Sequence, residues 1–250
     1  MIKFFRSIRH YLLNEGRVSK YLLYAIGEIV LVVIGILIAL YINNKNEANK
    51  SELAQRQLLT KLISDLESDI VSFENIDSIY NQDLEHIKYV IDQSLSFKNK
   101  TLNSPEQMVA GRGSVLYFAL NNSSYEEMIN TGLLYQLKDE DLKDEITKYY
   151  KDANFLLEKE NRDNQNVNNY LLGIKDVDPK KLIMRLREKR NLESIDWSWL
   201  QDPNSGMYRE IETNMIWTKA AIKANQDVMN QITKNANSLK KSIQAYLKKG

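Results

Sequence analysis

From Tyr21 to Ile42 the chain reads YLLYAIGEIVLVVIGILIALYI, 22 residues with one ionisable group, Glu28. At 1.5 Å per residue such a helix spans about 33 Å, enough to cross a hydrocarbon core of about 30 Å. A cleaved signal peptide has a shorter apolar stretch of roughly 7–15 residues and a small-x-small cleavage site. Tyr41-Ile42-Asn43-Asn44 offers no such site, so the segment reads as an uncleaved anchor. Tyr21, Tyr24 and Tyr41 stand near its two ends, at the headgroup level that amphipathic rings favour.

The flanks set the expected orientation. Five basic residues, Lys3, Arg6, Arg9, Arg17 and Lys20, precede the span, against three, Lys45, Lys50 and Arg56, in residues 43–60. Positive charge stays inside, so the expectation is a bacterial inner-membrane protein with residues 1–20 cytoplasmic, a single span at 21–42 and residues 43–250 in the periplasm. In MIKFFRSIRHYLL, Phe4, Phe5, Ile8 and Leu12 share one side of a helix. The five basic residues would then touch anionic lipid from an interfacial helix; the plainer reading is a basic segment that only orients the anchor.

Beyond the span the chain has to be helical. It has 9 Gly and 3 Pro in 250 residues, too few to punctuate the short strands of a sandwich or barrel, and its 43% hydrophobic content argues against disorder. The set Leu59, Leu62, Leu66, Ile70, Phe73, Ile76, Tyr80, Leu84, Ile87, Ile91, Leu95 recurs every 3.6 residues, one face of a straight helix. Tyr208, Ile211, Met215, Thr218, Ile222, Asn225, Met229, Ile232, Ala236, Leu239, Ile243, Tyr246 keep 3-4 spacing, a heptad seam interrupted by Thr218 and Asn225. Leu142, Ile146, Tyr149, Ala153 and Leu156 form a third run. The fold expected is all-α: a transmembrane helix followed by an elongated, coiled-coil-like antiparallel bundle. Its long helices are expected at about 46–97, 139–172 and 205–248, and short ones at about 124–131 and 179–190. Ser124-x-x-Glu127 reads as a capping box opening the first short helix, Gly132 as its stop, and residues 98–123 have no assignment. Residues 43–178 carry net −9 and residues 179–250 net +7, a split that ion pairs across the bundle rim would explain.

Few residues offer chemistry. Absent cysteine removes disulfides, thiolate metal sites and thiol catalysis. Only His10 and His86 exist, so no multi-histidine site can form; Asp83-x-x-His86 is half of a di-metal motif and reads as a solvated face. Gly111-Arg112-Gly113 lacks the Gly-Lys-Ser/Thr of a phosphate loop. No cofactor is expected. The basic run Lys180 to Arg190 has no interleaved aromatic residue and reads as an ion-pairing face rather than a nucleic-acid site. Trp197 and Trp199 read as a small apolar lid or a ligand-facing pair, with burial of at least one of them in the bundle end as the default. Glu28 is the sharpest residue, because a carboxyl within the hydrocarbon is costly. At 100° per residue, Gly35 and Ala39 lie 20° to either side of it. The resulting stripe of an acid and a Gly-x-x-x-Ala pair is the pattern that lets transmembrane helices approach closely. Packing is the reading favoured over ion or proton conduction.

Residues 19–47, SKYLLYAIGEIVLVVIGILIALYINNKNE, resemble the N-terminal signature of an uncharacterised Bacteroidota family of single-pass membrane proteins, a domain of unknown function. SSYEEMINTGLLYQLKDEDLKDEITKYY at 123–150 is similar to that family's midsection, with its Tyr-Glu pair, Thr/Ser-Gly turn and later Tyr-Tyr. Lys45 departs from the pattern, which has Trp there. The resemblance implies an inner-membrane protein with a periplasmic helical domain and implies no activity.

The function expected is therefore a non-enzymatic, membrane-anchored interaction or scaffold protein. Its partners are the membrane, an unidentified protein and a second copy met through the transmembrane helix, with no nucleic acid. A sensory input module that signals through a partner is the first alternative. An enzyme relying on carboxylates alone is the second.

Overall fold

The computed structural model describes residues 18–96, 115–172, 196, 198–202 and 204–249. They form helices α1 (Val18–Ser96), α2 (Ser123–Asn130), α3 (Glu140–Leu172) and α4 (Gly206–Lys249), with a 3-10 turn at Ser198–Gln201. No strand occurs among the described residues. The chain is all-α, with a long apolar helix at its N-terminal end and a helical bundle after it. The expected helix at 179–190, the interfacial segment before residue 18 and Trp197 lie outside the described residues.

Local sequence explains the helix ends. Asp139 caps α3 by accepting the Leu142 N–H at 3.0 Å, and Glu140 and Asp141 add negative charge to its first turn. Ser205 caps α4 through the Tyr208 N–H at 3.2 Å, and Lys248 and Lys249 complement the dipole at the other end. Gly132 takes φ +73° just past α2, a conformation any side chain would strain. The capping box expected at Ser124 does not form. The N-cap residue is Asn122, with no side-chain cap of its own, and the Ser124 N–H is taken instead by Asp65 of α1 at 3.0 Å.

The chain divides into two compact units, residues up to Arg56 and Gln57–Gly250. In the first, α1 is apolar from Leu22 to Ile42, long and apolar enough to span a membrane. Its large side chains there are exposed on every side, from 46% at Val33 to 72% at Leu23.

The second unit has a continuous core. From α1 it takes Leu59, Leu62, Leu66, Phe73, Tyr80 and Ile87, and from α4 Ile222, Met229, Ile232, Ala236, Leu239 and Ile243, the two periodic faces legible in the sequence. Leu142, Ile146, Tyr149, Tyr150, Ala153 and Leu157 complete it from α3. Each large aliphatic side chain so buried stabilises the fold by roughly 1.5–3 kcal/mol relative to exposure.

The register of side-chain bonds gives the topology. Gln226 reaches Asp77 at 2.8 Å and Lys240 reaches Glu67 at 3.5 Å, so α4 runs antiparallel to α1. It is antiparallel to α3 as well, since Asn225 meets Asn164 and Ser242 meets Glu145, both at 3.1 Å. Helices α1 and α3 are therefore parallel. Residues 115–122 make this connection possible: the strap runs back between α1 and α3, antiparallel to both, so that α3 restarts in the direction of α1.

Candidate functional site

Three long helices and the strap meet in a buried polar hub. Tyr80 of α1 and Asn225 of α4 are 0% exposed and Asn164 of α3 is 1% exposed. Asn164 and Asn225 each donate an Nδ2–H to the other's Oδ1 at 3.1 Å. Asn225 also donates to the Tyr80 hydroxyl at 3.1 Å, which in turn accepts the Leu116 N–H at 3.2 Å. Burial pushes the Tyr80 phenol up to about 12, opposed by its bonds to Leu116 and Asn225. Buried polar groups left unpaired would each cost about 1–3 kcal/mol, so the hub tolerates one alignment of the helices.

The strap is held by its main chain. Asn168 accepts the Val115 N–H at 3.2 Å and donates to the Val115 carbonyl at 3.3 Å. Asn164 donates to the Leu116 carbonyl at 3.2 Å and Asn161 to that of Phe118 at 3.0 Å. From α1, Asp69 accepts the Asn121 N–H at 2.9 Å, and Asp65 accepts Asn121 Nδ2–H at 3.0 Å. Val115 and Phe118 point into the core, where Phe118 meets Phe73 edge-on at 5.9 Å. An extended segment has no partners for its own backbone groups, so side chains on two helices supply them.

At the lower end of the strap, α1, α2 and α3 enclose a cluster of acids and tyrosines. Tyr125 stacks on Tyr150 with ring centroids 4.2 Å apart, and Tyr149 meets Tyr150 at 5.0 Å. Asp69 is 5% exposed. Burial raises its carboxyl to about 6, the Asn121 N–H opposing and the Asp65 charge adding to the shift. The Tyr149 and Tyr150 phenols are both pushed up, first by burial. Asp69 Oδ2 and the hydroxyls of Tyr149 and Tyr150 are buried and accept or donate no hydrogen bond among the described residues. The cluster holds no thiol, and among the described residues no group of three or more His, Cys, Asp or Glu side chains gathers as a metal site.

The residues expected from sequence to matter lie elsewhere. Glu28, Gly35 and Ala39 are all exposed on α1, and a Cβ built on Gly35 meets nothing within 4 Å among the described residues. Lys3, Arg6, Arg9 and Arg17 fall outside the described residues, and Lys20 lies in the first turn of α1. Lys240 to Glu67 at 3.5 Å and Lys61 to Glu127 at 3.4 Å are ion pairs between helices, each worth about 1 kcal/mol or less at the surface. The sequence reading missed Asp65, Asp69, Tyr150 and the asparagines of α3. Their one advance signal is the spacing of Asn154, Asn161, Asn164 and Asn168, steps of 7, 3 and 4 that place four amides on one helical face.

The model of a family of unknown function, DUF6090, matches residues 28–200. No curated protein matches the chain, and no solved structure matches it.

Proposed function

The chain belongs to the DUF6090 family, a family of unknown function, and on that premise we propose that it is a single-pass membrane-anchored scaffold acting through protein contacts. One observation carries the reading. The apolar side chains of 22–42 face outward on all sides, whereas Gln57–Gly250 closes a core of its own. A helix whose large apolar side chains are exposed all round among the described residues matches a lipid surface. The excess of basic residues before the span supports a cytoplasmic N-terminus and a periplasmic bundle in a bacterial inner membrane, in line with the single-pass Bacteroidota proteins that residues 19–47 resemble. Rigid helices pinned by a buried polar hub suit a platform for a protein partner or a second copy, and the basic residues of 1–20 would contact anionic lipid.

Two measurements test this. A reporter active only in the cytoplasm, fused after Gly250, is expected to stay silent; activity would invert the topology and remove the periplasmic reading. The intact protein, solubilised in mild detergent and affinity-purified, is expected to bring down one recurrent protein partner. Recovery of the chain alone from several detergents would overturn the protein-partner reading and favour an autonomous homo-oligomer.

A further inference from the structure

Asp69 sits where α1, the strap and the start of α2 meet. One oxygen accepts the Asn121 N–H at 2.9 Å; the other is buried without a partner. One turn earlier, Asp65 uses both oxygens, on Asn121 Nδ2 and on the Ser124 N–H, each at 3.0 Å. These two carboxylates thus fasten residues 121–124 to α1 and cap α2 from outside. Neither is ion-paired to a lysine or arginine among the described residues: Lys240 from α4 is held by Glu67, and Lys61 by Glu127. From α3 the groups coupled to Asp69 are the phenols of Tyr149 and Tyr150, both buried and unbonded, with Tyr125 of α2 stacked on Tyr150.

We propose that Asp69 is a proton-binding site that sets how tightly residues 121–124 are held. With a proton from solvent on Oδ2, Asp69 is neutral and its buried oxygen no longer carries an uncompensated charge, while Oδ1 still accepts from Asn121. Ionised, it is a second negative charge beside Asp65, desolvated and with no lysine or arginine paired to it among the described residues, and the fastening loosens. The strap end is then tight in mild acid and looser at alkaline pH. The direction of the Asp69 shift, upward through burial, agrees with this.

Amide hydrogen exchange on the full-length chain in detergent micelles tests it, with rates corrected for the intrinsic pH dependence and α2 amides beyond the first turn as reference. Protection of Asn121 and Ser124 is expected to fall about tenfold between pH 5 and pH 8, from a carboxyl near 6 when closed and near 4 when open. Asp69→Asn keeps a neutral donor at the same place and is expected to abolish that dependence. A flat wild-type profile, or an equal slope in Asp69→Asn, overturns the proposal. So does protection that follows sodium or potassium at fixed pH and ionic strength, which would make this a cation site. Should the variant fail to fold, carbon-13 titration of the aspartate carboxyls in the wild-type chain decides. One aspartate titrating near pH 6 supports the site, and none above about pH 5 removes it.

Discussion

Asn164 and Asn225 face each other across the α3–α4 interface and exchange two amide hydrogen bonds of 3.1 Å. In the heptad seam of α4, Asn225 occupies a position that its neighbours Ile222, Met229 and Ile232 fill with apolar side chains. A polar residue there gives up some stability and fixes register, because a slip of α4 by one turn would leave Asn225 unpaired and take one bond each from Asn164 and Tyr80.

Truncating both sides of the pair is expected to cost less than the two single truncations summed. Asn225→Leu leaves Asn164 and Tyr80 short of a partner and should destabilise the bundle by about 1–3 kcal/mol. The double change Asn164→Leu/Asn225→Leu should cost less than the sum of the two single changes, since it removes the orphan along with the bond. Urea unfolding followed by circular dichroism measures both; strict additivity would show that the amides do not act as a pair.

The apolar seam around the pair tolerates no charge. Ile222 and Ile232 are 0% and 1% exposed, so Ile222→Asp or Ile232→Asp buries an unpaired carboxylate and is expected to destabilise by several kcal/mol, about 3–5. The same change at Ile216, which is 56% exposed, should move the melting temperature little. Equal melting of all three variants would mean that this face of α4 is not core.

Stability should also carry the signature of Asp69. Its carboxyl is raised to about 6 in the folded chain, above an unfolded value of about 4. The folded state therefore binds the proton first, and the contribution is fully present below about pH 4 and lost as pH rises through about 6. Relative to Asp69→Asn, the wild type is expected to lose up to about 2–3 kcal/mol of stability between pH 4 and pH 7. Chemical denaturation at several pH values gives the difference; curves that run parallel would contradict it.

What the sequence made legible was apolar periodicity. The faces of α1 and α4 were readable because each buried residue recurs at helical spacing, and Thr218 and Asn225 stood out as interruptions. The strap was not readable. Its Val115-Leu116-Tyr117-Phe118 has no partner strand in sequence, and what holds it is a set of asparagines and aspartates that periodicity scores as solvated. Tyr150 escaped because it follows Tyr149 directly and breaks the 3-4 spacing, yet it is 0% exposed. Ser124 and Glu127 have the spacing of a capping box, but Asp65 lies close enough in space to take the Ser124 N–H, a contact 59 residues apart that local pattern cannot register.

The stripe on the apolar stretch of α1 gives the last expectation. Glu28, Gly35 and Ala39 share one side of α1 and are all exposed, and nothing lies within 4 Å of a Cβ placed on Gly35. Gly35→Ile therefore meets no obstacle among the described residues of its own chain. If a second α1 packs on this stripe, the branched side chain holds the two backbones apart and crosslinking through an introduced cysteine should drop several-fold. Glu28→Gln keeps the size and the hydrogen-bonding capacity of the side chain, and crosslinking and function should both survive it. In-membrane crosslinking of the two variants, each carrying a cysteine at Leu31 or Ile38, compares them directly in a chain that has no other thiol. Undiminished crosslinking in Gly35→Ile would place any self-association on another face. Loss of function in Glu28→Gln with crosslinking intact would replace packing by a role for the carboxyl charge itself.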